Sequence, residues 1–136
     1  MIVADTSLMI SWLLNETDVV VAEDVYNLLA EETLLVPAHW PVEIGNALAV
    51  NVRRGRIPPE LLNAIQERLN KLVVVVEGSV SPADIVSLVG FAGDQNLTAY
   101  DACYVQLAAE THAPLATLDR QMRTAARRLN INLLPA

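Results

Sequence analysis

Short apolar runs alternate with longer amphipathic stretches along the chain, and this alternation predicts most of its secondary structure. The runs end at polar residues or at proline, which is typical of short strands buried in a parallel sheet. Four such strands and a short fifth one are expected, at residues 2–4, 34–36, 73–76, 115–118 and 131–134. The four consecutive β-branched valines at 73–76 predict a central strand.

The stretches between these runs predict helices, several of which begin with capping signals. Thr6 and Ser7 can cap the first helix, and Thr98 can cap the sixth. Pro41, and Pro82 after Ser81, lie in the first turn of a helix, where a missing N–H costs nothing. The expected helices are residues 8–14, 18–32, 41–54, 58–71, 82–95, 99–110 and 120–130, with a turn at 15–17.

The order of these elements predicts the fold class. Strands that alternate with one or two helices indicate an α/β fold, here a three-layer α/β/α domain with a mostly parallel central sheet of four to five short strands. The 136 residues suffice for one core, and no repeat or linker divides them. Residues 1–136 are therefore expected to form a single domain.

Composition predicts the compartment of the protein and whether it associates with a membrane. Hydrophobic residues make up 53% of the chain, which favours a packed globule. No apolar run reaches the roughly 18–20 residues of a membrane span, and no signal peptide is visible. Cys103 is the only cysteine, so no intrachain disulfide is expected and a reducing compartment is indicated. We expect a cytoplasmic protein without membrane association.

Charge is distributed unevenly along the chain. The formal net charge of −7 argues against nucleic-acid binding by bulk electrostatics. Residues 1–52 contain eight acids and neither Lys nor Arg. The basic residues follow in three groups: Arg53, Arg54 and Arg56; Arg68 and Lys71; and Arg120, Arg123, Arg127 and Arg128. These groups are either ordinary solvated helix ends or local basic patches on an acidic protein.

Four acids occupy positions that a parallel sheet would bring to one edge. Asp5 and Asp119 each follow a predicted strand, whereas Glu43 and Asp101 lie in the first turn of a helix that follows a strand or turn. Ligands of open α/β sheets bind at the carboxyl ends of the strands. Each acid also has a structural explanation, because acids near a helix N-terminus cap it or interact favourably with its dipole.

The surroundings of these acids favour a metal site. Glu43 and Asp101 are followed by strongly apolar stretches, so their carboxylates are expected to be partly buried. Buried carboxylates that lie together must be protonated or share a cation, and Mg²⁺ or Mn²⁺ prefers such oxygen ligands. A zinc site is not expected, since His39 is interpreted as a turn residue, His112 as a surface residue and Cys103 as a core thiol.

The motifs around the acids resemble those of a known family. They are VADTS at 3–7, PVEIGNAL at 41–48, LTAYDACYVQLA at 97–108 and LATLD at 115–119. In this order they resemble the PIN-domain nucleases, and more narrowly the VapC-type toxins of type II toxin–antitoxin modules. The resemblance covers nearly the whole chain, and the last two motifs are its most specific part.

The resemblance implies an acidic pocket that binds one or two Mg²⁺ or Mn²⁺ ions and hydrolyses RNA to 5′-phosphate and 3′-hydroxyl ends. By matching motifs, the catalytic and metal-binding residues would be Asp5, Glu43, Asp101 and Asp119. Asp5 and Asp101 would bind the ion directly, Asp119 a second ion or a water, and Glu43 an ion or the attacking water. Further contacts to the acids or the substrate are expected from Thr6, Asn46 and Thr117, and to RNA phosphates from Arg53, Arg54, Arg56, Arg120 and Arg123.

The resemblance also implies partners, namely an RNA substrate, a homodimer and a VapB-like antitoxin that blocks the acids. Two alternatives remain open: a PIN-like nuclease that acts on DNA, and an inactive PIN-like binding module. Phosphotransfer domains fit poorly. A haloacid-dehalogenase-type phosphatase needs an acid where Ser7 stands, and a receiver needs an acid pair on the first strand and a late lysine.

Overall fold

A computed structural model describes residues 1–14 and 23–136 of the chain. The predicted turn at 15–17 and the predicted start of the second helix lie outside the described residues. The strands are β1 (Ile2–Ala4), β2 (Leu34–Val36), β3 (Val74–Val76), β4 (Leu115–Ala116) and β5 (Leu133–Leu134). The helices are α1 (Thr6–Leu13), α2 (Glu23–Glu31), α3 (Trp40–Arg53), α4 (Leu62–Asn70), α5 (Ile85–Gln95), α6 (Ala99–Thr111) and α7 (Arg120–Arg128). Short 3₁₀ turns at Pro59–Leu61 and Pro82–Asp84 lead into α4 and α5.

The five strands form one parallel sheet in the order β3-β2-β1-β4-β5. This confirms the predicted α/β class and the parallel sheet. The first strand of the chain lies in the middle, with β2 on one side and β4 on the other. In consequence, the residues that follow β1 and β4 emerge side by side at the same edge of the sheet.

Helix α6 packs against β1, β2 and β4 and provides much of the core. Six of its residues are buried, from Ala102 to Ala108, and every residue of β1, β2 and β4 is buried as well. Because both faces of these strands are covered, they are continuously apolar rather than alternating. Among the described helices, none has both the length and the apolar character that crossing a membrane would require.

The prediction that the valine strand is central is wrong. β3 lies at the end of the sheet, and Val73 and Val76 are 62% and 54% exposed. β-Branched residues fit any pleated, partly covered surface, so their presence does not report how many neighbours a strand has.

Most predicted helix signals are confirmed, but the cap of α1 is not the predicted one. Asp5, rather than Thr6 or Ser7, is the N-cap: its backbone is extended and its carboxylate accepts from the N–H of Leu8 at 2.8 Å. Thr6 and Ser7 already belong to the helix. As predicted, Thr98 caps α6. The acid that ends β1 thus performs the capping itself, with one of its two oxygens.

Candidate active site

Asp5 and Thr117 lie next to each other because β1 and β4 are neighbouring parallel strands. The hydroxyl of Thr117 donates to Oδ2 of Asp5 at 2.5 Å, while Oδ1 accepts from the N–H of Leu8. Asp5 is only 5% exposed and Thr117 is fully buried. A buried carboxylate with a hydrogen bond to each oxygen is held in a single orientation at the sheet edge.

Burial raises the pKa of Asp5 to about 6, against an ordinary value of 3.8. The hydrogen bonds from Thr117 and Leu8 favour the charged form and limit this rise, whereas the charges of Asp101 and Asp119 add to it. The last two contributions show that Asp5 lies within the electric field of two of the other predicted site acids.

Thr117 also connects Asp5 to Asp119. Its hydroxyl oxygen accepts from the N–H of Asp119 at 3.0 Å, and Oδ1 of Asp119 accepts from the N–H of Met122 at 2.8 Å. Asp119 therefore caps α7, as Asp5 caps α1, although it is exposed to solvent. The predicted strand at 115–118 is shorter than expected, and Asp119 follows it after two further residues.

Glu43, in the first turn of α3, is held by side chains from two other helices. Its Oε1 accepts from the hydroxyl of Tyr104 at 2.7 Å and lies 3.2 Å from the hydroxyl oxygen of Thr6, within hydrogen-bond distance. Nε2 of His39 lies 3.2 Å from the same oxygen, within ion-pair distance, but without the geometry of a hydrogen bond. The ring of His39 packs edge-on against Tyr104 and against Tyr100.

Asp101, in the first turn of α6, completes the acidic group. Its pKa is raised, first by burial and then by the charges of Asp119 and Glu43, while the Thr98 hydrogen bond and His39 oppose the rise. Asp101 therefore links Glu43 electrostatically to Asp5 and Asp119. The four predicted acids act on one another from four different elements of the fold.

The chemistry of these donors suits a hard divalent cation, which prefers carboxylate oxygen. In residues 1–14 and 23–136, however, no three His, Cys, Asp or Glu side chains are close enough together to form a ready ligand set. The acids share an electric field rather than a formed coordination sphere. Burial is the main cause of the raised pKa of Asp5 and of Asp101, and positive charge at this edge would relieve the repulsion that adds to it.

The remaining predicted site residues have different surroundings. Asn46 is exposed on α3, and Arg53, Arg54, Arg56 and Arg120 are exposed as well. Arg123 donates to the carbonyl oxygens of Thr117 and Pro135, each at 2.9 Å, so its guanidinium ties α7 to the segment after β5.

The sequence interpretation missed His39 and Tyr104 as neighbours of the acids. His39 was expected only as a turn residue, and it does precede α3 directly. Tyr104 belongs to the apolar stretch that follows Asp101, a position typical of a core residue. The available signal was spacing: His39 is four residues before Glu43 and Tyr104 three after Asp101, distances that place side chains on one helical face.

Comparison with known proteins identifies the family and the fold of the chain. The family model of the PIN domain matches residues 2–128. The crystal structure of PAE2754 from Pyrobaculum aerophilum superposes with a TM-score of 0.69 over 98% of this chain and 83% of that one, at 21% identity, which shows a shared fold. Among curated proteins, no sequence matches the chain. The chain belongs to the PIN-domain family, whose members are generally nucleases that use divalent metal ions.

Proposed function

We propose that this protein is a metal-dependent endoribonuclease and the toxin component of a VapBC-type toxin–antitoxin system. The observation that carries the proposal is the buried Asp5 carboxylate, which lies in the field of Asp101 and Asp119 at the sheet edge. Capping accounts for one oxygen each of Asp5 and Asp119, but the mutual repulsion of the acids opposes folding, so a function that requires their combined negative charge explains why they lie together.

Asp5 and Asp101 would bind Mg²⁺ or Mn²⁺, with Asp119 and Glu43 completing the acidic group. An ion bound there would lower the pKa of a water molecule, and its positive charge would stabilise the negative charge of the phosphate. The chain's own residues set the geometry: Thr117 orients Asp5, and α6 presents Asp101 towards the other acids. Hydrolysis by water would leave 5′-phosphate and 3′-hydroxyl ends.

RNA would be held by local basic residues, since the protein as a whole is acidic. Arg53, Arg54 and Arg56 are exposed together at the end of α3, the helix whose first turn contains Glu43, and Arg120 directly follows Asp119. Exposed guanidinium groups contact phosphates without reading sequence. Arg123 is excluded from this group because its guanidinium already binds two carbonyl oxygens.

The proposed homodimer and antitoxin have support from exposed apolar surface. Ile85, Val86 and Val89 on α5 are 53%, 81% and 63% exposed, and they follow one another at helical spacing. A second apolar groove runs along α3 and is lined by Trp40, Ile44 and Leu48. A partner segment in that groove would lie on the helix that carries Glu43.

The function is tested by cleavage of labelled single-stranded RNA, with single-stranded DNA of the same sequence as the competing substrate. We expect RNA cleavage in Mg²⁺ or Mn²⁺, none with chelator, and a loss of at least roughly 100-fold in Asp101→Asn. Asp94→Asn, which removes an exposed acid on α5, is the matched control and should retain activity. Cleavage of DNA alone would indicate a DNA nuclease, and RNA binding without cleavage would indicate a binding module.

The toxin assignment needs a separate experiment. Expression of the wild type in a bacterial host should arrest growth, and Asp101→Asn should not. Co-expression of the adjacent reading frame, if it encodes a short DNA-binding antitoxin, should restore growth to the wild-type strain. Equal growth with wild type and Asp101→Asn would contradict the toxin role and leave the nuclease assignment to the cleavage assay.

A further inference from the structure

The side chains of Tyr104, Glu43 and Thr6 form a hydrogen-bonded triangle in which no backbone atom takes part. The ring of Tyr104 belongs to the core, with only 1% exposure, while its hydroxyl is 2.7 Å from Oε1 of Glu43. Thr6 Oγ1 is 2.8 Å from the Tyr104 hydroxyl and 3.2 Å from the same glutamate oxygen. The triangle therefore joins α1, α3 and α6, the helices that follow β1, β2 and α5.

Counting protons gives the triangle a direction. The two hydroxyls carry one proton each and an ionised carboxylate carries none, so the chain of donation must end at Glu43. The two shortest distances, 2.8 and 2.7 Å, indicate that the Thr6 hydroxyl donates to Tyr104 and that the Tyr104 hydroxyl donates to Glu43. Burial and the neighbouring carboxylate raise the pKa of Tyr104, which keeps its hydroxyl protonated as a donor.

The two oxygens of Glu43 consequently differ. Oε1 faces three groups, the hydroxyls of Tyr104 and Thr6 and Nε2 of His39. No hydrogen bond reaches Oε2 from any described residue, and the side chain is 26% exposed. Glu43 is thus anchored through one oxygen and has the other available at the site, an arrangement that opposes bidentate metal binding and suits a water.

We propose that Tyr104 is a positioning residue that fixes Glu43 through Oε1, so that Oε2 orients the attacking water; this rests on the proposed nuclease function. In the reaction, the water oxygen bonds to phosphorus and the bond from phosphorus to the 3′-oxygen breaks. One water proton goes to Oε2, and the 3′-oxygen takes a proton from solvent and leaves as a hydroxyl. A carboxylate positioned within hydrogen-bond reach of the water is what such a proton transfer requires.

The chain offers a matched pair of tyrosines for the test. Tyr100 and Tyr104 both pack edge-on against His39, with centroids 5.6 and 5.5 Å away, but only the hydroxyl of Tyr104 reaches Glu43. Tyr104→Phe should lower kcat for RNA cleavage about tenfold, with KM changed less than about twofold. Tyr100→Phe should leave both within about twofold of wild type. In a Glu43→Ala background, Tyr104→Phe should cause no further loss.

An activity-independent measurement keeps the test separate from the proposed function. Urea unfolding in chelator of wild type, Tyr104→Phe, Glu43→Ala and the double variant should show coupling of about tenfold in the unfolding equilibrium constant. If the wild type cleaves no RNA, the proposed function fails, while this cycle still reports the Tyr104–Glu43 contact. Wild-type kcat in Tyr104→Phe, or an equal kcat loss with and without Glu43, would overturn the positioning role.

Discussion

Thr117 donates its hydroxyl proton to Asp5 across 112 residues of sequence, and both side chains are buried where they meet. The same hydroxyl accepts from the N–H of Asp119. One small side chain therefore orients the carboxylate of Asp5 and holds the backbone of Asp119. Its removal should affect the free energy of unfolding and the arrangement of the site together.

Thr117→Val keeps the shape of the side chain but removes the hydroxyl. We expect it to lose about 1.5–3 kcal/mol of unfolding free energy at pH 8, where the Asp5 carboxylate is ionised, because that charge loses a donor. Thr117→Ser retains the hydroxyl and should lose only about 1 kcal/mol for the missing methyl group. Urea unfolding in the presence of chelator measures the unfolding free energy of both variants. Equal losses in Thr117→Val and Thr117→Ser would contradict the role of the hydroxyl.

The raised pKa of Asp5 predicts a stability that falls as pH rises. Between about 3.8 and about 6 the folded protein binds the Asp5 proton and the unfolded chain does not, so each step up in pH favours unfolding. The full shift corresponds to roughly 3 kcal/mol, before opposing contributions from other groups. Asp5→Asn should abolish this dependence and make the metal-free protein more stable than wild type at pH 8. A less stable Asp5→Asn protein at pH 8 would contradict the prediction.

Divalent metal should stabilise the folded protein, because it offsets the repulsion among the four acids. At a concentration one hundred times the Kd, Mg²⁺ or Mn²⁺ should add about 2.7 kcal/mol. Thermal unfolding in metal and in chelator measures the effect, which should be much smaller in Asp101→Asn and unchanged in Asp94→Asn. An unchanged wild-type Tm at millimolar metal would count against the site.

Arg120 and Arg123 lie one turn apart on α7 and should behave differently. Arg123→Ala removes two hydrogen bonds to carbonyl oxygens and should cost about 1–3 kcal/mol of unfolding free energy. Arg120→Ala should change the free energy of unfolding by less than about 0.5 kcal/mol. It should, however, weaken RNA binding and reduce the slope of log affinity against log salt concentration by about one. Urea unfolding measures the stability of the two variants, and filter binding at several salt concentrations measures their affinity for RNA. A stability loss in Arg120→Ala together with an RNA-binding loss in Arg123→Ala would contradict the prediction.

The exposed face of α5 predicts the position of the dimer interface. Val86→Asp should convert the proposed dimer into a monomer, because a charge at the centre of an apolar interface is strongly unfavourable. Leu61→Asp, at an exposed leucine before α4, is the control and should leave the dimer intact. Light scattering after size-exclusion chromatography gives the mass, and a dimeric Val86→Asp protein would place the interface elsewhere.

The fold was predictable because its signals are local and consistent. Short apolar runs bounded by polar residues or proline identified the strands, and their alternation with helices implied parallel pairing. Parallel strand direction places Asp5 and Asp119 at the same edge of the sheet, and the adjacency of β1 and β4 in the structure brings them close together. The position of β3 did not follow, since the sequence of a valine run does not specify whether a further strand lies beside it.

The supporting side chains of the site were harder to predict than its acids. Tyr104 has an apolar ring that belongs to the core and a hydroxyl that belongs to the site. A hydrophobic pattern predicts the burial of the ring but not the partner of the hydroxyl. Asp5 shows that capping a helix and belonging to the acidic group are not alternatives, because Oδ1 accepts from the N–H of Leu8 and Oδ2 from the hydroxyl of Thr117.

The central position of β1 has a consequence for the newly made chain. β1 is synthesised before the other four strands described, but Val3 pairs with Leu115, which the ribosome adds only after β2 and β3. Until then the first strand is bound on one side at most, Asp5 lacks its hydroxyl partner, and Asp119 does not exist. The four acids of the candidate site can therefore come together only after synthesis has passed β4, however early β1 and Asp5 are made.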